Sequence, residues 1–212
     1  AMKHRAITFT PQMVDAIRRG QKTVTRRPIK PQPEDVTYGR LTPFMQDDTW
    51  WLKYGHSLVE MRCKYGDPGD LLYVKETWAH TSQLNLSPDD DNYGYVYKSD
   101  GQPWSDIEGW RWKSPMFMPK AAARMWLEVV NVLPQRLQDI TEEDAIQEGI
   151  ECENPEAGKY GSFKNYKDGQ YGMSPIGSFK TLWDSIYGEG AWESNPWVWR
   201  VEFKETKNPN EI

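Results

Sequence analysis

The sequence predicts a single α+β domain, a small β-barrel with flanking helices and long inserted loops, over 212 residues. Three observations lead there. Short strand signals are interleaved irregularly with only three helix signals, unlike the strict alternation of a doubly wound sheet. Leu, Ile, Val and Phe supply only 38 residues, but 11 Trp and 11 Tyr raise the total to 60, so the core is aromatic-heavy. The net charge of -5 is too small to hold the chain open by self-repulsion, and the length suits one core rather than two enzyme domains.

The elements follow in order. Residues 6–9 read as a short strand. Thr10-Pro11 opens a helix, a hydroxyl cap followed by a proline whose missing N–H does no harm there. Met13, Val14 and Ile17 give its apolar stripe, Arg18 and Arg19 suit the negative end of the dipole, and Gly20 ends it. Thr23, Val24 and Thr25 favour a strand that Pro28, Pro31 and Pro33 stop. Residues 34–68 carry little regular signal beyond a strand near 58–63, and residues 71–78 form a clear strand after YGDPGD. Alternation at 93–97 lies inside an excursion rich in Trp, Gly and Pro that reaches residue 119. Residues 124–133 form the next strand.

Thr141 caps a helix with acids in its first turn and Gly149 after its last. Residues 151–175, rich in Gly, Lys and Asn, read as a long loop. A helix over 175–187 presents Phe179, Leu182, Trp183 and Ile186 on one side, and Gly188 stops it. Residues 197–204 alternate as a final strand. The insertions are thus about 28–65, 79–120 and 151–175, with a frayed tail over 205–212.

Composition narrows the function. Cys63 and Cys152 stand 89 positions apart among three histidines, which supports neither a disulfide framework nor a Cys/His zinc cluster. No metal or other cofactor is expected. Uncharged apolar runs are short and no signal core opens the chain, so the expectation is a cytoplasmic monomer without a membrane partner. Residues 1–40 hold nine Lys/Arg against three acids, a net +6, which leaves -11 for the rest. That split disfavours a whole-surface polyanion binder and leaves room for a local basic patch facing a small nucleotide-like ligand.

The Gly20 to Arg27 stretch, GQKTVTRR, joins the first helix to its strand. With the strand starting at Thr23, Thr25 and Arg27 share one face and Val24 and Arg26 the other, while Lys22 stays in the turn. A lysine near a threonine hydroxyl and an arginine fits nucleophile activation if burial and the neighbouring cation lower its pKa. A solvated basic turn is the plainer reading of the same residues. Glu148 sits just before Gly149, at the negative end of a helix and one turn after Asp144, and both features raise the cost of ionisation. Such an acid suits proton donation, although a surface glutamate is commoner. Glu76 and Trp78 alternate onto one strand face, where a carboxylate and an indole could read and stack a cytosine ring. A core tryptophan with a paired glutamate is the equal alternative. Trp104, Trp110 and Trp112 could line the same mouth or pack the insertion.

ITF, the helix ending at Gly20, the GxKTxTxR pattern, GDLLYV, ITEEDAIQEGI and the closing VEFK together resemble the ASCH family, PUA-like β-barrel proteins associated with RNA and modified nucleobases. Their order and spacing are similar to those of the family's compact bacterial amidohydrolases, which cleave N4-acetylcytidine to cytidine and acetate. Segments like KTVTRRPIKPQP, YGDPGDLLYVKETWA and NPWVWRVEF resemble longer, tryptophan-rich members of phage and prophage type. The resemblance implies Lys22, Thr25 and Glu148 as catalytic residues and Arg27 as the motif arginine. Thr25 would attack the acyl carbonyl, Lys22 would take its proton, Glu148 would protonate the departing nitrogen, and Arg27 would orient Thr25 or stabilise the oxyanion. The expected partner is a nucleoside or modified base. A non-catalytic reader of RNA or a modified base, using Arg26, Arg27 and stacking, is the second reading. A metal-dependent ribonuclease is the third, without metal-binding spacing to support it.

Overall fold

The Thr10 hydroxyl accepts a hydrogen bond from the Met13 N–H at 3.3 Å, so the first helix starts where its cap and Pro11 require. In this computed structural model the described residues are 2–33, 42–46, 49–54, 57–84, 88–89, 93–101 and 110–209. In chain order the first elements are β1 (His4–Thr8), α1 (Pro11–Arg18) and β2 (Val24–Pro28). An antiparallel meander, β3 (Thr42–Gln46), β4 (Thr49–Tyr54) and β5 (Ser57–Met61), precedes β6 (Leu71–Lys75). There follow a small hairpin, β7 (Trp78–His80) with β8 (Tyr95–Tyr97), then the long β9 (Trp126–Arg136) and α2 (Glu142–Gln147). The chain closes with β10 (Phe163–Lys164), β11 (Tyr171–Met173), α3 (Pro175–Tyr187) and β12 (Trp197–Thr206).

The main sheet has the order β1-β6-β9-β12-β2, parallel between β1 and β6 and antiparallel elsewhere. It does not close into the expected barrel. The chain passes from β1 through α1 and the Gly20 turn, and side chains occupy the seam between β1 and β2 where a ladder would be needed. Arg27 Nη2 donates to the Thr8 carbonyl at 2.8 Å, and its guanidinium lies 5.3 Å from the Phe9 ring centroid.

Apolar side chains on the two faces of β12 enter different cores. Trp197, Trp199, Val201 and Phe203 join Ile7, Phe9, Leu72 and Val129 in one, and Val198 joins Leu137, Phe179, Trp183 and Trp192 in the other, beneath α2 and α3. The meander is tied to the first by Trp50, whose indole N–H donates to the Val132 carbonyl at 2.8 Å.

Four further expectations change. The meander supplies three strands where the sequence signalled one, because its neighbours rather than its own alternation complete the ladders. The strand expected over 71–78 ends at Lys75. There the Glu76 N–H turns to the Met118 sulfur and Trp78 starts a new hairpin. The stretch 151–175 is not an open loop, for the β10–β11 pair and a helical turn at Pro155–Tyr160 fill it. β12 runs to Thr206, into the expected frayed tail; residues 210–212 lie outside the described residues. Among the described residues no helix is long and apolar enough to cross a membrane.

Candidate active site

Gly20, at φ +69°, turns the chain so that the Gln21 and Lys22 N–H groups both reach the Ala16 carbonyl. That turn directs Lys22 inward, and its side chain is fully buried. Its ammonium donates to the Val24 carbonyl at 2.9 Å, the Glu148 carbonyl at 2.7 Å and Glu148 Oε2 at 2.8 Å, one acceptor for each N–H. Burial pulls the Lys22 pKa below its ordinary value, and nearby Arg27 and Arg26 push the same way against the attraction of Glu148.

Glu148 caps α2, and its backbone forms an isolated antiparallel bridge with Lys22. Gly149 follows at φ +77°, and a Cβ there would stand 2.8 Å from Lys22 Cβ and 3.0 Å from Ala16 Cβ. Only glycine therefore lets the helix end lie this close to the turn. Glu148 is 4% exposed, with Oε2 facing Lys22 and Oε1 accepting from Arg26 Nη1 at 3.2 Å. The expected repulsion from Asp144 is replaced by a bridge, since Arg26 Nη2 donates to Asp144 Oδ2.

Arg26 is thus committed to two carboxylates rather than aimed at a ligand. Arg200, directly opposite it in the β2–β12 register, donates to Asp144 Oδ1 through Nη2 at 3.0 Å and Nε at 3.2 Å. Two like charges opposed across a ladder repel, and Asp144 between them offsets that repulsion. Burial works against the Asp144 charge, but the Arg200 hydrogen bonds and Arg26 outweigh it and hold the carboxyl below its usual value. Arg200 was not singled out from sequence, where one arginine among strand aromatics carries no distinguishing signal.

Thr25 is 2% exposed and lines a crevice at the free edge of β2 together with Glu148, Arg27, Met13, Leu182, Ile186 and Tyr187. The crevice holds about 10 Å³, room for about one water. The structure therefore gathers Thr25, Arg26, Arg27 and Glu148 around one crevice roofed by α3, and Lys22 joins them through Glu148 without lining it. A much larger cavity of about 680 Å³ lies beyond the Lys22–Glu148 bridge, walled by Arg19, Gln21, Gln147, Ile150, Cys152 and Tyr171. None of the candidate catalytic side chains lines it.

Glu76 and Trp78 do not join this group. Glu76 is held by Arg124, Nε to Oε1 and Nη2 to Oε2 both at 2.9 Å, and by Ser99 Oγ at 2.6 Å. Arg124 also grips Asp100, which Arg18 of α1 reaches at 2.9 Å. Trp78 packs with Tyr97, Met118, Ala122 and Ala123, with Lys113 Nζ 4.8 Å from its ring centroid. Trp110 and Trp112 meet edge to face at 5.5 Å, and Trp104 lies outside the described residues. Among the described residues no group of three His, Cys, Asp or Glu side chains could hold a metal ion. Comparison of the chain with protein-family models, curated proteins and solved structures gives no match.

Proposed function

We propose that the chain is an amidohydrolase of the ASCH, PUA-like kind that binds a modified cytosine nucleoside and removes an N4-acyl group, turning N4-acetylcytidine into cytidine and acetate. The observation that carries this reading is the meeting of Lys22 and Glu148 at 2.8 Å beside a crevice that Thr25 shares with Glu148. Nucleophile, base and acid then come from three separate positions, with Thr25 and Glu148 on one crevice and Lys22 joined to it through Glu148.

The resting pair is an ammonium and a carboxylate. Burial weakens the hold of Lys22 on its proton, and passing one proton along the hydrogen bond to Glu148 makes a neutral amine and a carboxylic acid in one step. The amine takes the Thr25 hydroxyl proton as the oxygen adds to the acyl carbonyl. Glu148 returns a proton to N4 as the C–N bond breaks, which releases cytidine and leaves an acetyl ester on Thr25. Water adds to that ester, giving a proton to Lys22 after the same internal transfer, and Glu148 reprotonates Thr25 as acetate leaves. Arg27 at the crevice rim faces the developing oxyanion. The pyrimidine enters when Ile186 and Tyr187, both partly exposed on α3, turn outward.

Incubation with N4-acetylcytidine and chromatographic detection of cytidine tests the reading. Turnover by the parent chain, lost in Thr25→Ala and Glu148→Gln variants that keep their circular dichroism, is the expected result. Absence of cytidine overturns it. Tight RNA binding that falls steeply with salt and shows no turnover would mark a non-catalytic reader instead.

A further inference from the structure

Five charged side chains stand in one row of alternating sign: Lys22, Glu148, Arg26, Asp144 and Arg200. Lys22 and Arg26 are fully buried and Glu148 nearly so at 4%, whereas Asp144 and Arg200 touch water slightly, with side chains 17% and 14% exposed. A guanidinium keeps its charge at any pH a folded protein meets. Arg26 therefore presses a fixed positive charge on Glu148 Oε1 while Lys22 holds Oε2.

We propose that Arg26 is a positioning residue for the Lys22–Glu148 pair, and that Asp144, itself braced by Arg200, meters its influence. The catalytic meaning rests on the amidohydrolase reading, in which Glu148 must accept the Lys22 proton before Thr25 can lose its own. A guanidinium on Glu148 resists that acceptance and, close to Lys22, also repels the ammonium. The countercharge of Asp144 reduces both effects. The charged or titratable groups facing the pair are Arg26 and Arg27 from β2, Asp144 from α2 and Tyr187 from α3, with Arg200 of β12 one step further along the row.

The signs are opposed, which separates tuning from mere support of the fold. Asp144→Asn keeps shape and strips the countercharge, so Arg26 acts on Lys22 undiminished and the lysine titrates lower. Arg26→Met removes the repelling cation, so Lys22 titrates higher. Arg200→Gln releases Asp144 to Arg26 and moves Lys22 upward by less. Each of the first two shifts is about one pH unit, the scale for a charge a few ångströms away.

The Lys22 ammonium is followed by nitrogen-15 NMR titration of the full chain, and the pH profile of kcat/KM on N4-acetylcytidine is measured alongside. Opposite NMR shifts for Asp144→Asn and Arg26→Met are expected, with the rising limb of the profile displaced in the same directions, about tenfold in rate at fixed pH for each unit. Shifts of the same sign, or none, overturn the proposal. Opposite NMR shifts in a chain without turnover would sustain the row and sink the hydrolase reading. Turnover without those shifts would do the reverse. If Arg26→Met does not fold, Asp144→Asn and Arg200→Gln still carry opposed signs.

Discussion

Lys22 and Glu148, 126 residues apart, are joined twice: Lys22 Nζ donates to the Glu148 carbonyl at 2.7 Å and to its carboxylate at 2.8 Å. Main chain and side chain of one residue are thereby clamped to a single ammonium. Lys22→Met removes the cation and leaves Glu148 buried against Arg26 alone. We expect a loss of about 3–5 kcal/mol by urea denaturation, the usual result of breaking one side of a buried pair, and complete loss of turnover.

Acid should expose the carboxylates that the fold holds ionised. Burial opposes charge at Asp70, Asp100 and Asp144. It is outweighed by the Lys3 and Asp67 N–H groups at Asp70, by Arg124 and Arg18 at Asp100, and by Arg200 and Arg26 at Asp144. All three lie below their unfolded value of 3.8, so the unfolded chain binds more protons and stability falls with pH in that range. Each contribution is complete above 3.8 and is lost as pH drops through the lower folded value. The urea midpoints of the parent and of Asp144→Asn should therefore differ most above pH 3.8 and draw together as pH falls below it.

Arg124 fastens the hairpin insertion to α1 through Glu76, Ser99 and Asp100. Glu76 is almost wholly buried, and Arg124→Ala leaves its carboxylate without a countercharge, held by the Ser99 hydroxyl. A destabilisation of about 3 kcal/mol is expected. Arg124→Lys should recover less than half of it, because an ammonium cannot reproduce the two-pronged contact. Thermal or urea unfolding of the two variants checks both statements.

The roof over Thr25 invites a steric test. Ile186 lines the crevice yet is 44% exposed, so a larger side chain fits there without disturbing the core. Ile186→Trp should leave the unfolding midpoint unchanged and lower kcat/KM by about tenfold, mainly through KM, as expected when substrate is kept from a site whose chemistry is untouched. An unchanged KM would remove α3 from the entry path.

Local chemistry explains what the sequence discloses. Thr10 with Pro11 and Thr141 mark two helix starts through side-chain caps that the structure bears out, and it adds a Ser174 cap to the third α-helix among the described residues. Gly20, Gly149 and Gly188 mark their ends with positive φ. What is not disclosed depends on partners distant in sequence. The run LLYVKETW holds no Gly, Pro or Asn to stop a strand, so nothing local shows that Glu76 leaves the ladder for Arg124. Alternation puts Arg26 and Arg27 on opposite faces of the strand but does not say what each face meets. Only the β2–β12 register and the placement of α2 bury one between carboxylates and send the other to the Thr8 carbonyl. The β10–β11 pair is too short for periodicity to reveal.

The two cores beneath β12 give the site a divided dependence. Phe9, flanking Lys22 and Arg27, belongs to the first, whereas α2 and α3, which bring Glu148 and the crevice roof, rest on the second. Loosening either core alone separates Lys22 from Glu148, even where the five-stranded sheet still holds. Inactivation should therefore run ahead of global melting, so that turnover acts as a sensor of cohesion between two halves of one domain.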